Sequence, residues 1–286
     1  MSLRKLLAGP EIVVAPGIYD GLSALLVAEA GFKAAYLSGA AICYTRYGYP
    51  DIGLVSMSEV ADTLSAIRER ADLPVIVDID TGFGNALNVQ RAVQVFERRG
   101  ASALQLEDQV TPKRCGHLAD KALISKTEMV GKIKAALDAR TSSEMMLIAR
   151  TDAVGVEGFD KALDRAEAYV EAGADLLFVE APGSREQLGE IARRFGSRVP
   201  VMANMVEGGK TPILPAKDLQ ALGFKLVIFP GGTVRALAFG MREYFASLQA
   251  NGTTDSYRNR MLDFTGINRL LDTAGFQARG KQYDAN

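Results

Sequence analysis

Two hydropathy patterns alternate along the chain from end to end. One is a short, nearly continuous apolar run bounded by polar residues, at 11–15, 34–38, 74–80, 103–107, 146–150, 176–180, 200–204 and 226–230. Runs of this kind suit strands of a parallel sheet that is covered on both faces. The other pattern has the helical period. Over 160–171, Ala162, Leu163, Ala166 and Val170 fall on one face, while Lys161, Asp164, Arg165 and Glu167 fall on the opposite one. Several such stretches end in glycine, at Gly31, Gly100 and Gly173, where a left-handed residue closes a helix.

Eight strand–helix units in about 250 residues predict an α/β protein of the (β/α)8 barrel type. A doubly wound dinucleotide-binding sheet would carry a G-x-G-x-x-G turn after its first strand. Here the residues read as that turn are Pro16-Gly17-Ile18-Tyr19-Asp20. The last helix of the barrel is read over 234–249. No linker or shift of composition divides the chain, so a single barrel domain is expected over 1–254. Residues 255–286 are expected to form a helical tail of that domain, lying at an oligomer interface.

Composition narrows the function. Lys plus Arg number 33 and Asp plus Glu 34, so no global field draws nucleic acid or an anionic membrane. Two cysteines, Cys43 and Cys115, are too few for a disulfide framework. The first ten residues lack the long apolar core of a secretory signal, and no stretch reaches the roughly 20 apolar residues of a membrane span. A cytoplasmic protein acting on a small molecule is expected.

The chemistry collects at the strand ends, where barrels of this kind place their sites. Strand two ends in Ser38-Gly39-Ala40, strand three in Asp78-Ile79-Asp80, strand four in Glu107-Asp108, strand five in Arg150-Thr151-Asp152, strand six in Glu180 and strand seven in Asn204; Arg235 follows strand eight by about a turn. Asp78 and Asp80, at i and i+2, are expected on one strand face, making a cluster of three carboxylates with Glu107. Such a cluster is relieved by a hard divalent cation, and Mg2+ with retained waters suits an all-oxygen set; the plainer alternative is helix capping or pairing with arginine. The long loop 108–123 carries Lys113-Arg114-Cys115-Gly116-His117, with one of the two cysteines and the chain's one histidine. Two cations beside Cys115 favour the thiolate, against the alternative of an ordinary basic surface loop. One histidine and two distant cysteines give no zinc-ligand spacing. Asp51, in the loop after strand two, either reaches over the barrel mouth or is a turn residue. Gly208-Gly209-Lys210-Thr211 offers backbone N–H groups to an anion or is a plain loop, and Cys43 is read as packing.

Taken together, Asp78-Ile79-Asp80-Thr81-Gly82-Phe83-Gly84, Glu107-Asp108-Gln109, Lys113-Arg114-Cys115-Gly116-His117 and Ala149-Arg150-Thr151-Asp152-Ala153 resemble the isocitrate lyase/phosphoenolpyruvate mutase superfamily. The K-R-C-G-H loop looks like its carbon–carbon lyase branch, which includes 2-methylisocitrate lyase and 2,3-dimethylmalate lyase. The phosphonate mutases carry a different gating loop without that cysteine. Asn204–Pro212 is similar to the 2,3-dimethylmalate relatives, whereas Arg235 sits where methylisocitrate enzymes place a carboxylate-binding arginine. The resemblance implies Mg2+, with Mn2+ able to substitute, held largely through water by Asp78, Asp80 and Glu107. It implies catalytic roles for Cys115, Asp51, Lys113, His117 and Arg150. Substrate binding is implied for Tyr36, Ser38, Gly39, Ala40, Gly116, Glu180, Asn204, Thr211 and Arg235; the relatives have Gly or Ser where Ala40 stands here. It also implies an eighth helix exchanged between subunits and a homotetramer built as a dimer of dimers. The reaction so implied cleaves a 2-hydroxy di- or tricarboxylate into pyruvate or a related 2-oxo acid and a carboxylic acid. The rivals are phosphonopyruvate or carboxyphosphonoenolpyruvate mutase-type phosphorus–carbon chemistry, oxaloacetate decarboxylation in the same site, and a barrel that only binds a dicarboxylate.

Overall fold

A computed structural model describes residues 1–284 except His117 and Ala119. Eight parallel strands close into a barrel in chain order: β1 (Val13–Ile18), β2 (Ala35–Leu37), β3 (Val75–Asp78), β4 (Ala103–Glu107), β5 (Met146–Thr151), β6 (Leu176–Val179), β7 (Val201–Asn204) and β8 (Leu226–Phe229). The ring closes through parallel pairing of β1 with β8, with Val13 opposite Leu226 and Pro16 opposite Phe229. A short helix, α1 (Leu3–Leu7), precedes β1. Helices α2 (Gly21–Glu29), α3 (Gly39–Ile42), α4 (Met57–Arg68), α5 (Ala86–Arg98), α6 (Lys126–Ala139), α7 (Phe159–Glu171), α8 (Arg185–Phe195) and α9 (Ala216–Leu222) fall between the strands. The expected closing glycines are present, with φ of 84°, 84° and 101° at Gly31, Gly100 and Gly173.

Residues pointing into the barrel, among them Val13, Ala15, Tyr36, Ile76, Ile148, Phe178, Met202 and Ile228, form one buried cluster with Leu3 and Leu7 of α1. Because those two leucines join the cluster from ahead of β1, α1 plugs the N-terminal end of the barrel. The outward strand residues pack on the helices in two further clusters. The interior is therefore filled, and the open end is the one where β-strands run out into polar residues.

The strands depart most from the sequence reading at the ends of β1 and β3. β1 runs on through Pro16-Gly17-Ile18, which read as a turn. Gly17 is there for a close approach: a Cβ on it would lie 2.1 Å from the Pro230 carbonyl oxygen. β3 ends at Asp78, two residues early, because Asp80 is left-handed with φ 47°.

Contacts divide the chain into Met1–Val234 and Arg235–Asn286, where the sequence had placed the change of character at 254. Helix α10 (Gly232–Asn251) begins at the end of the first unit; α11 (Phe264–Leu270) and α12 (Thr273–Lys281) belong to the second. Within the second unit Tyr257 Oη donates to the Gly240 carbonyl at 3.2 Å, and Arg260 pairs with Glu243 at 2.6 Å. Val234 is the last buried residue among those described; Phe239, Phe245 and Phe264 are exposed. Among the described residues no helix is long and apolar enough to cross a membrane.

Candidate active site

Parallel pairing of β4 with β5 sets Glu107 opposite Arg150 at the open end of the barrel. The Arg150 guanidinium lies over the Phe178 ring, 5.3 Å from its centre, and gathers three carboxylates. Its Nη1 is 3.2 Å from Glu107, its Nη2 is 3.3 Å from Glu180, and its Nε and Nη2 donate to both oxygens of Asp152 at 2.8 and 3.0 Å. Asn204 Nδ2 in turn donates to Glu180 at 3.1 Å. Burial disfavours a charged guanidinium, but the surrounding carboxylates win and hold Arg150 firmly cationic. Burial likewise disfavours the Asp152 carboxylate, yet Arg150 and then Lys121 pull it down to about 2.

The carboxylates on the other side of the mouth meet a lysine. Lys113 Nζ lies 2.5 Å from Asp51 and 3.0 Å from Asp80. Asp78 accepts from the Asp80 backbone N–H at 3.1 Å, and Gln105 of β4 reaches it at 3.4 Å. Asp78 and Asp80 thus share a pocket through a left-handed turn, not through a common strand face as expected. Burial, only partly offset by Lys113, raises Asp80 to about 6. Burial also pushes Glu107 well above the carboxylate range despite Arg150. Among the described residues, Asp80 Oδ1 and both Glu107 oxygens are buried without an aligned hydrogen bond. Buried carboxylate oxygens in that condition suit a hard divalent cation. Among the described residues, however, no three Asp, Glu, His or Cys side chains converge tightly enough to ligate an ion directly. These carboxylates fit a cation that keeps water between itself and the protein.

The loop after β4 folds back over these groups. The Gln109 side-chain amide bonds reciprocally with the Arg114 backbone, at 2.8 and 2.9 Å, and the Val110 N–H donates to the Ala122 carbonyl at 2.8 Å. The Cys115 N–H donates to the Asp51 carbonyl at 3.3 Å. Gly116 rests directly on the arginine cluster: a Cβ there would lie 2.6 Å from Arg150 Nη2 and 2.7 Å from Glu180 Cγ. Glycine is what lets the loop close this far.

The structure brings together Asp51, Asp78, Asp80, Glu107, Lys113, Cys115, Gly116, Arg150, Glu180 and Asn204. Ser38 caps α3 by accepting from the Ala41 N–H at 3.2 Å, and Gly39 comes within 3.8 Å of Asp80 when given a Cβ. Ala40 follows in the same first turn of that helix. Tyr36 belongs to the interior cluster, and its buried hydroxyl feels the charges of Asp78, Arg150, Glu107 and Lys113. Thr211 is buried beside Glu180 and Asn204, and its hydroxyl has no hydrogen-bond partner among the described residues. Arg235 is the first residue of the second unit, and His117 lies outside the described residues. Cys43 is buried and its thiol donates to the Pro50 carbonyl at 3.1 Å, as packing requires. The sequence reading did not single out Asp152, although its place at the tip of strand five was visible; nor did it single out Lys121, which looks like any lysine of a polar loop.

The chain matches the phosphoenolpyruvate phosphomutase family over residues 3–249. It is 47% identical over 279 residues to 2-methylisocitrate lyase of Aeropyrum pernix, covering 98% of this chain and 89% of the relative. It is 42% identical over 272 residues to 2,3-dimethylmalate lyase of Eubacterium barkeri, covering 94% and 93%. The crystal structure of a 2,3-dimethylmalate lyase aligns with a TM-score of 0.90 at 34% identity, over 99% of this chain and 94% of that one. A phosphonopyruvate hydrolase in complex with oxalate and Mg2+ aligns with a TM-score of 0.88 at 30% identity, over 98% and 97%.

Proposed function

We propose that this chain, which belongs to the phosphoenolpyruvate phosphomutase family, is a Mg2+-dependent carbon–carbon lyase acting on a 2-hydroxy di- or tricarboxylate of the 2,3-dimethylmalate or 2-methylisocitrate type. The observation that carries the reading is the seating of Gly116 on Arg150 and Glu180, which brings the neighbouring Cys115 to the barrel mouth. Cleavage of an alkylmalate leaves the electron pair on the carbon of the departing carboxylic acid, and a thiol at this point is placed to return a proton to it. The names of the two relatives support the same branch.

Asp78, Asp80 and Glu107 would hold Mg2+ through water, with Asp51 nearby. Bound there, the ion supplies positive charge that acidifies the substrate hydroxyl and polarises the adjacent carboxylate. Arg150 orients a substrate carboxylate from a fixed, charged position, and Glu180, Asn204 and Thr211 complete the pocket. The backbone N–H groups of Gly39 and Ala40, with Ser38, receive the carboxylate of the pyruvate-like half. Asp51, a carboxylate outside the cation set, takes the hydroxyl proton. The carbon–carbon bond breaks, its electron pair passes to the departing carboxylic acid fragment, and Cys115 Sγ returns a proton to that carbon. Lys113 supplies positive potential where the charge builds, and the closed loop keeps water from the carbanion. The working assembly is a homotetramer in which neighbours exchange the eighth barrel helix, α10; the exposed apolar residues of that helix support this.

The test is turnover. With Mg2+ or Mn2+, the protein is expected to release a 2-oxo acid from 2,3-dimethylmalate or 2-methylisocitrate, to stop with EDTA, and to leave phosphonopyruvate unchanged by phosphorus NMR. Turnover of phosphonopyruvate with no cleavage of any alkylmalate overturns the reading.

A further inference from the structure

The Cys115 loop holds a second buried lysine that has no part in the chemistry above. Lys121 lies on the returning limb of the loop, one residue before the Val110–Ala122 hydrogen bond. A lysine in a polar loop is expected to extend into water, yet its side chain is 2% exposed. Its ammonium donates to the Gly116 carbonyl and, at 2.9 Å, to Asp152 Oδ1. These acceptors belong to different parts of the site. Gly116 is the loop residue that rests on Arg150 and Glu180. Asp152 is the fully buried carboxylate that holds Arg150 by two hydrogen bonds. Burying an ammonium is costly unless it is paired, and an ammonium carries three donors that can serve several acceptors at once.

We propose that Lys121 is a positioning residue that couples closure of the Cys115 loop to the state of Arg150. With the loop closed, Asp152 shares its charge between two cations, which leaves more of the Arg150 charge for a substrate carboxylate. With the ammonium withdrawn, Asp152 draws on Arg150 alone and Gly116 loses its tie. Thiol and guanidinium are therefore readied in one movement. The kinetic part of this inference rests on the lyase reading above; the structural part does not.

The test compares Lys121→Met, Lys121→Gln and Lys121→Arg with the wild-type chain. Hydrogen–deuterium exchange over residues 108–123, without substrate, reads the loop directly. Lys121→Met is expected to exchange there about tenfold faster, the signature of a local opening made easier, while peptides from β4 and β5 stay at wild-type rates. Lys121→Arg, which keeps the cation, is expected within about threefold of wild type. In turnover, Lys121→Met is expected to lose about 10–100-fold in kcat/KM, with KM raised, and Lys121→Arg to recover most of it. Should Lys121→Met fail to fold, Lys121→Gln, which keeps a donor but no charge, is read in its place with the same expectation. A folded Met or Gln variant with wild-type loop exchange overturns the proposal, as does an Arg variant as open as Met. If the wild-type chain cleaves no alkylmalate, the exchange result still decides the role of Lys121, and the lyase reading fails by itself.

Discussion

Asp80 carries much of the tension in this site. It is raised to about 6 because burial outweighs Lys113, and Asp78 and Asp51 add repulsion. Between the ordinary carboxylate value and about 6, the folded chain keeps a proton that the unfolded chain has released. Stability from this group therefore falls as pH rises through that window. Asp80→Asn removes this leg, so the stability of the variant minus that of the wild type, both metal-free, is expected to grow from pH 4 to pH 6 by on the order of 1–2 kcal/mol. Urea midpoints at pH 4, 5, 6 and 7 measure it, and parallel curves contradict it. Mg2+ is expected to raise Tm in the wild type and not in the variant, whose cleavage activity is lost. Residues such as Asp78, Glu107, Arg150 and Glu180 were legible in the sequence because each breaks an apolar run at a strand end. Lys121 was not, because nothing in a loop lysine marks a side chain as buried. That depends on how the loop folds back.

The loop after β4 is the element on which specificity and chemistry meet. Gly116→Ala places a Cβ against Arg150 and Glu180, so the loop cannot seat. kcat/KM is expected to fall about 10²-fold, through KM as well as kcat, from misplacement alone. Tm is expected to stay within about 1 °C, since a loop outside the core is being changed; wild-type kinetics would argue against closure by this contact. Beneath the loop, Tyr169 of α7 donates to Asp108 at 2.7 Å, and Asp108 also receives the Thr151 hydroxyl and the Asp152 N–H. Tyr169→Phe leaves a buried carboxylate short of a donor and is expected to cost about 1–3 kcal/mol, read as a lower urea midpoint with unchanged slope. The strands themselves were readable from hydropathy to within three residues. The misses have local causes: Pro16-Gly17 has the composition of a turn but is a strand segment pressed against Pro230, and the plug formed by Leu3 and Leu7 involves too short a helix to show a period.

At the scale of the whole molecule, Met1–Val234 contains all the buried apolar clusters, whereas Arg235–Asn286 leaves Phe239, Phe245 and Phe264 in contact with water. Aromatic side chains left exposed in this way support the proposed assembly. Light scattering is expected to give a mass near four chains, and truncation after Gly252 to weaken assembly and solubility; a monodisperse full-length monomer contradicts the exchanged-helix assembly. The alternation of strand and helix made the barrel legible, but the loss of burial after Val234 was not, because the apolar spacing of α10 reads alike whether its partner is its own barrel or another copy. In the proposed reaction the barrel mouth, closed by the Cys115 loop, delivers a proton to a carbanion left by carbon–carbon cleavage. The most direct measurement is kcat for alkylmalate cleavage by Cys115→Ser, beside KM and Mg2+ affinity. Serine keeps the size but is a far weaker acid, so kcat is expected to fall about 10²–10⁴-fold while KM and Mg2+ affinity hold. Cleavage at the wild-type rate would remove Cys115 from the chemistry and contradict the account.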